Sequence, residues 1–299
     1  NERNCERDIS IVSETILLKR KRSFVSPLRY PGGKGILSSY LQEVIRVNGL
    51  TACRYVEPYG GGAGAALSLL VSGLVDKIVI NDYDPAIYSF WKAVTTEPDK
   101  FIELISGIDV SIAEREKQRD IYLNSSKSEE DIFSLGFAAF YLNRTNRSGI
   151  LRGGPIGGYA QTGKYKIDAR FNKEDLIERI RLISLYADRI SVTNVDGKEI
   201  ISKFSNYNST FIYADPPYFE KAESLYLNSF NLEDHKMLAK CISSINNAKW
   251  ILTYDNVPQV SELYSNFRRK EFSINYSAHR VMKAKEIMVF SDNLTIPKN

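Results

Sequence analysis

The run Tyr55-Val56-Glu57-Pro58-Tyr59-Gly60-Gly61-Gly62-Ala63-Gly64, followed by Ala65-Ala66-Leu67-Ser68-Leu69-Leu70, restricts the fold more than any other part of the chain. A strand-like stretch, a glycine turn and a helical run, in that order, open a βαβ unit. Backbone in such a turn can approach a nucleotide-like ligand closely, because glycine has no Cβ. The run Lys77-Ile78-Val79-Ile80-Asn81-Asp82 supplies a second strand ending in an acid. That acid lies about twenty residues past the glycines, where a carboxylate can accept hydrogen bonds from both hydroxyls of a ribose.

The spacing by itself does not separate a nicotinamide dinucleotide from S-adenosylmethionine. A phosphate loop of the Walker type fits poorly, since no Gly-Lys-Ser/Thr follows the glycines. Gly33-Lys34-Gly35 precedes the strand and lacks the hydroxyl.

A second feature concerns chemistry. The apolar run Thr210-Phe211-Ile212-Tyr213-Ala214 ends in Asp215-Pro216-Pro217-Tyr218. As bare punctuation this is a strand-ending turn, because proline stops strands and aspartate opens turns. It also places a carboxylate, a rigid carbonyl and an aromatic face on one short loop. An exocyclic amine on a nucleobase is a poor nucleophile, its lone pair being delocalised into the ring, so two acceptors must draw on its two hydrogens. Asp215 can supply one and the Pro216 carbonyl the other, while Pro216 and Pro217 hold φ near −65° and carry no competing N–H. Tyr218 can stack on the base.

Pro27-Leu28-Arg29-Tyr30-Pro31-Gly32-Gly33-Lys34 precedes both motifs. With the three in this order, from about Pro27 to the strand near Phe290, the chain resembles the Dam-type DNA adenine methyltransferases, an N6-adenine family. The resemblance implies an α/β fold with a Rossmann-like methyltransferase core and S-adenosylmethionine as cofactor. It implies that Tyr30 lies against the cofactor with Lys34 closing the same segment. Gly60, Gly62 and Gly64 would form the cofactor turn beside Glu57 and Tyr59, Asp82 would hold the ribose, and Asp196 would sit near the cofactor adenine. Asp215 would face both the cofactor and the target amine. Phe230, Asp234-His235 and Ile251-Leu252-Thr253-Tyr254-Asp255 resemble later core elements and are assigned structural roles. Cytosine-N4 enzymes use similar chemistry but more often carry serine at the position of Asp215. A DNA-binding subunit that keeps the fold without useful activity, working within a restriction or defence assembly with a protein partner, is the alternative of a different class.

Strand and helix signals alternate from about Arg22 to Val94, with Asp84-Pro85 opening a helix over Ala86 to Val94. The pattern is helical from Thr95 to Arg189, and alternation returns at Ile190. The division expected is a basic arm over 1–23, the first part of the core over 24–94, a helical target-recognition insertion over 95–189 and the second part of the core over 190–299. Within the insertion, Asn143-Arg144-Thr145-Asn146-Arg147 leads into a polar, basic, glycine-rich loop. Arginines there can contact guanine and asparagines adenine, so Asn143, Arg144, Asn146, Arg147 and Arg152 are the expected contacts to double-stranded DNA. Where GATC-methylating relatives carry a Phe-Asn-Val-Pro-Phe-Gly-like stretch, this chain has Gly-Gly-Pro-Ile-Gly-Gly-Tyr-Ala-Gln, and no recognition sequence follows from the resemblance.

The net charge of +4 is too small to identify a nucleic-acid binder; clusters such as Lys19-Arg20-Lys21-Arg22 say more. No run approaches the ~20 apolar residues of a membrane span. Cys5, Cys53 and Cys241 are isolated, and with only His235 and His279 beside them no metal site is expected. Unpaired thiols and the absence of a secretory apolar core lead to the expectation of a cytoplasmic protein, bacterial or phage-encoded.

Overall fold

A computed structural model describes residues 26–30, 35–219, 230–278 and 280–298. The basic arm and Lys34 lie outside the described residues. Seven strands form one sheet: β1 (Arg54–Glu57), β2 (Lys77–Asn81), β3 (Ile190–Thr193), β4 (Thr210–Ala214), β5 (Lys249–Asp255), β6 (Arg268–Ala278) and β7 (Arg280–Phe290). Their spatial order is β3-β2-β1-β4-β5-β7-β6. The first five run parallel, while β7 is antiparallel to both β5 and β6. This is the Rossmann-like α/β arrangement.

Strand β4 is buried along its whole length, and its sequence is a continuous apolar run because helices cover the sheet on both faces. Successive side chains take opposite faces. Tyr55, Ile78, Phe211, Tyr213, Ile251 and Phe290 share one core with the helices Gly35–Val47 and Gly64–Val71. Val56, Val79, Ile212, Leu252 and Val289 share another with Gly197–Phe204, Leu232–Ser243 and Pro258–Leu263.

Between β2 and β3 the chain passes through the helices Pro85–Thr96, Pro98–Gly107, Ile112–Asn124, Ile132–Thr145 and Lys173–Ser184. Proline at the first helical position costs no hydrogen bond, and Asp84 caps the first of these helices by accepting from Ala86 N at 2.8 Å. Asn172 caps the last by accepting from Asp175 N at 2.9 Å. The inserted helices hold one small cluster among themselves, of Ala86, Tyr122, Leu135, Ala138, Ala139 and Leu142, and give their larger aromatic residues to the core of the sheet. Phe90, Phe101 and Phe140 pack together, with ring centroids 5.3–5.9 Å apart, inside the same cluster as the sheet residues. Gly136 permits the closest approach, since a Cβ there would stand 2.4 Å from the Ser89 carbonyl oxygen.

From β1 the chain moves one way across the sheet to β2 and β3, then returns to β4 on the other side of β1. The reversal lies between β1 and β4, and ligands of open α/β sheets bind at such a point, beyond the carboxyl ends of the strands. Strand β7 pairs with β5 only over Glu286–Phe290, so the remaining length of the β6–β7 ribbon extends past the carboxyl end of β5.

Candidate active site

The glycine turn leaves β1 and the Asp-Pro-Pro-Tyr loop leaves β4, two strands paired directly through Val56 and Ile212. Both loops therefore emerge at the same edge, side by side. The turn is fixed from several directions. Gly60 N donates to Asn81 O at 2.7 Å, Gly61 N to Asp82 Oδ2 at 2.8 Å, and Trp91 Nε1 to Gly61 O at 2.8 Å. Ser26 Oγ donates to Gly62 O. Gly60 is crowded, since a Cβ there would lie 2.6 Å from Ile80 Cγ2. Gly61 adopts φ +47°, which favours glycine. The ring of Tyr30 lies on this turn: a Cβ at Gly61 would meet Tyr30 Cζ at 2.6 Å, and one at Gly62 would meet Tyr30 Cβ at 3.0 Å. Gly64 opens the helix Gly64–Val71 with open space around its Cα.

Asp82 uses both carboxylate oxygens on backbone, Oδ2 accepting from Gly61 N and Oδ1 from Asp84 N at 2.9 Å. Each oxygen keeps a second acceptor position. Burial, with the Asp84 carboxylate as a smaller contribution, pushes its pKa up to about 7. Glu57 is buried and accepts from Tyr55 Oη at 3.0 Å. The ring of Tyr59 lies against Gly197, where a Cβ would stand 2.5 Å from Tyr59 Cζ. Its buried hydroxyl has no hydrogen-bond partner among the described residues. Asp196 caps the helix Gly197–Phe204 through Lys198 N at 2.8 Å and pairs with Lys198 Nζ at 2.9 Å.

Asp215 is half-buried, and its Oδ1 accepts from Thr253 Oγ1 at 2.9 Å. Tyr218 is 9% exposed and donates through Oη to Glu286 Oε2 at 2.6 Å. Phe219 N donates to Asp255 Oδ1 at 2.9 Å. Pro216 is buried and Pro217 half-buried between these anchors. His235 is buried against Phe219, with Nδ1 2.6 Å from Tyr254 Oη, and burial lowers its pKa.

The insertion corrects one expectation. Asn143, Arg144 and Asn146 do not present side chains to a ligand. Asn143, 1% exposed, accepts from Arg29 N at 2.7 Å and donates to Arg29 O at 2.8 Å and Gly149 O at 3.0 Å. Asn146, 0% exposed, accepts from Arg115 Nε at 2.7 Å and donates to Ile150 O and Leu151 O. Arg144 donates to Pro27 O at 2.6 Å and Arg170 O at 3.3 Å, and burial together with the neighbouring guanidiniums of Arg179, Arg29 and Arg170 lowers its pKa. These three polar groups are consumed in bracing the loop and in tying it to Ser26–Tyr30, the segment that covers the glycine turn. Arg147 and Arg152 are exposed, as are Tyr159, Lys164, Tyr165 and Lys166 further along. Gln161 holds that stretch in shape, donating to Ile156 O and Gly158 O at 2.7 Å and accepting from Ile167 N at 2.8 Å.

Sequence reasoning missed Asn81, whose amide donates to Pro58 O and Val195 O at 2.9 Å and accepts from Thr193 Oγ1 and Val195 N. A polar residue at the buried end of an apolar strand was the available signal. It also missed Tyr83, which follows Asp82 and is 56% exposed at the same edge. Among the described residues, no group of three or more His, Cys, Asp or Glu side chains is arranged to hold a metal ion, and no helix is long and apolar enough to cross a membrane.

A family model described as D12 class N6 adenine-specific DNA methyltransferase matches residues 30–280. The chain is 25% identical over 263 residues to the type II methyltransferase M.MjaIII of Methanocaldococcus jannaschii, covering 82% of this chain and 89% of that protein. It is 24% identical over 231 residues to a DNA adenine methylase of Vibrio cholerae, covering 74% of this chain and 76% of that one. Among solved structures it is similar to the rRNA methyltransferase AviRa from Streptomyces viridochromogenes, at 12% identity and TM-score 0.42, covering 89% of this chain and 88% of that chain.

Proposed function

The chain belongs to the D12 class N6 adenine-specific DNA methyltransferases, and from that premise we propose how its residues divide the work. Asp215 and the Pro216 carbonyl accept the two amino hydrogens of an adenine turned out of duplex DNA, and Tyr218 stacks on its ring. Removing the base from its stack is required because the amine is otherwise out of reach. The observation that carries this assignment is the adjacency of β1 and β4, which sets the glycine turn beside Asp215 at the point where strand order reverses.

S-adenosylmethionine, when bound, supplies a methyl group on a positively charged sulfur. The residues at the turn fit such a cofactor. Gly64, with open space around it, lets backbone approach the cofactor, while Gly60 and Gly62 make room for Ile80 and for Tyr30, which covers the turn. Asp82 has acceptor capacity for two ribose hydroxyls, Asp196 is assigned to the cofactor adenine, and Tyr59 packs beside it against Gly197. Exposed Tyr83 is a further candidate to lie against that ring. Glu57 holds the first strand end by accepting from Tyr55. The leaving group is already good, so the protein contributes chiefly by orienting the amine and by fixed electrostatics.

Residues 95–189 serve target recognition in this proposal. Arg147 and Arg152, joined by the exposed Tyr159, Lys164, Tyr165 and Lys166, supply the cationic and aromatic face that meets the DNA.

The test is incubation of the purified chain and tritiated S-adenosylmethionine with unmethylated duplex DNA, followed by nucleoside chromatography. Label in N6-methyladenine is expected from the wild type. Asp215→Ala is expected to lose on the order of 10³-fold or more in turnover while keeping its melting temperature. Near-normal turnover by the folded variant would remove Asp215 from the mechanism. Cofactor binding without transfer by the wild type would point to a required protein partner.

A further inference from the structure

Thr253 and Glu286 belong to strands that sequence reasoning assigns to the core. In the parallel pairing of β4 with β5, Ala214 stands opposite Leu252. The next positions, Asp215 and Thr253, therefore fall side by side on one face. Thr253 is 1% exposed, and its hydroxyl lies 2.9 Å from Asp215 Oδ1 on one side and 2.9 Å from Tyr213 Oη on the other. Thr253 Oγ1 donates to Asp215 Oδ1, and since that uses the single threonine proton, Tyr213 Oη donates to Thr253. The chain of bonds thus has one direction, Tyr213 to Thr253 to Asp215, and it ends on the carboxylate proposed to meet the amine.

Two positions along β5, Asp255 pairs across to Glu286 on β7. Glu286 is 1% exposed, and its Oε2 accepts from Tyr218 Oη at 2.6 Å, the length of a charge-assisted bond. Both side chains proposed to touch the base are thus held by residues of neighbouring strands, outside the loop that carries them. A bond to Oδ1 restrains rotation of the Asp215 carboxylate, and a bond to Oη fixes where the far end of the Tyr218 ring lies.

We propose that Thr253 and Glu286 are positioning residues for methyl transfer, Thr253 acting through Asp215 and Glu286 through Tyr218. The proposal rests on the assignment of Asp215 and Tyr218 to the target base.

The test separates kcat from binding. Thr253→Val keeps the shape and removes the hydroxyl. It is expected to lower kcat on the order of 10²-fold, with KM for DNA and Kd for S-adenosylmethionine within about 2-fold of wild type, and Thr253→Ser is expected to recover most of the loss. If the valine variant does not fold, Thr253→Ala against Thr253→Ser makes the same comparison. Glu286→Gln is expected to lower kcat roughly 10-fold in the wild type and to have no further effect in Tyr218→Phe, because the bond it serves is already gone.

A wild-type kcat in Thr253→Val, equal losses in the serine and valine variants, or a Glu286→Gln effect that persists in Tyr218→Phe would overturn the proposal. Measuring Asp215→Ala alongside distinguishes the two levels. If that variant is inactive while Thr253→Val turns over normally, only the positioning role fails; if it remains active, the assignment beneath both roles fails.

Discussion

Asp82 has two demands on one carboxylate: it closes the glycine turn through Gly61 N, and in the proposed complex it also accepts from a ribose. Its pKa of about 7 makes that second duty depend on pH. Cofactor affinity is expected to strengthen as pH rises from 6 to 8, and Asp82→Asn to bind weakly with a flat profile; calorimetric titration at three pH values checks both. Because the folded carboxyl holds its proton more tightly than an unfolded one, with its pKa of ~3.9, this group makes the unliganded protein less stable as pH rises from about 4 through 7. Asp82→Asn should remove that part of the slope of melting temperature against pH. Asn143 is the contrasting case. Asn143→Ala leaves the backbone of Arg29 and Gly149 without its partner, and is expected to cost about 1–3 kcal/mol in stability while leaving the salt dependence of DNA binding unchanged. The positions of Asp82 and Asp215 just past strand ends are legible in the sequence because each acid closes an apolar run. Asn143 and Asn146 were misassigned because a polar residue beside a glycine-rich loop has the same sequence signature whether it faces a ligand or braces the loop from within. Thr253 was read as structural because its partner, Asp215, is its neighbour only once β4 and β5 pair.

At the scale of elements, the parallel strands announced themselves as short apolar runs, and the helices at 85–96 and 173–184 through their caps. What the sequence concealed was how the inserted helices pack. Gly136 carries no turn or positive φ; it sits in mid-helix so that the backbones of 132–145 and 85–96 can touch. Gly136→Ala should therefore destabilise by about 1–3 kcal/mol or more, against the gain in helix propensity expected at an open site. Urea unfolding with a lowered midpoint and an unchanged slope would show this; a midpoint above wild type would mean that the two helices are not in contact at Ser89. The phenylalanines of the insertion complete the sheet's core, while Tyr122, Leu135, Ala138, Ala139 and Leu142 form a smaller cluster with Ala86.

For the molecule as a whole, Arg147, Arg152, Lys164 and Lys166 put exposed positive charge on the loop that the buried asparagines hold and on the stretch that follows it. Replacing Arg147 and Arg152 with alanine should weaken DNA binding for every sequence tested and reduce the slope of log K against log salt by roughly one per arginine. An unchanged slope would move the DNA contact to another face. The pairing of β1 with β4 has a different consequence, one of timing. A ribosome delivers the glycine turn early, but the strand that seats Asp215 follows only after the whole insertion has been made, and the strands bearing Thr253 and Glu286 come later still. A nascent chain thus carries the residues of its cofactor turn before those that act on a base, and the site is complete only once all of these strands have been made.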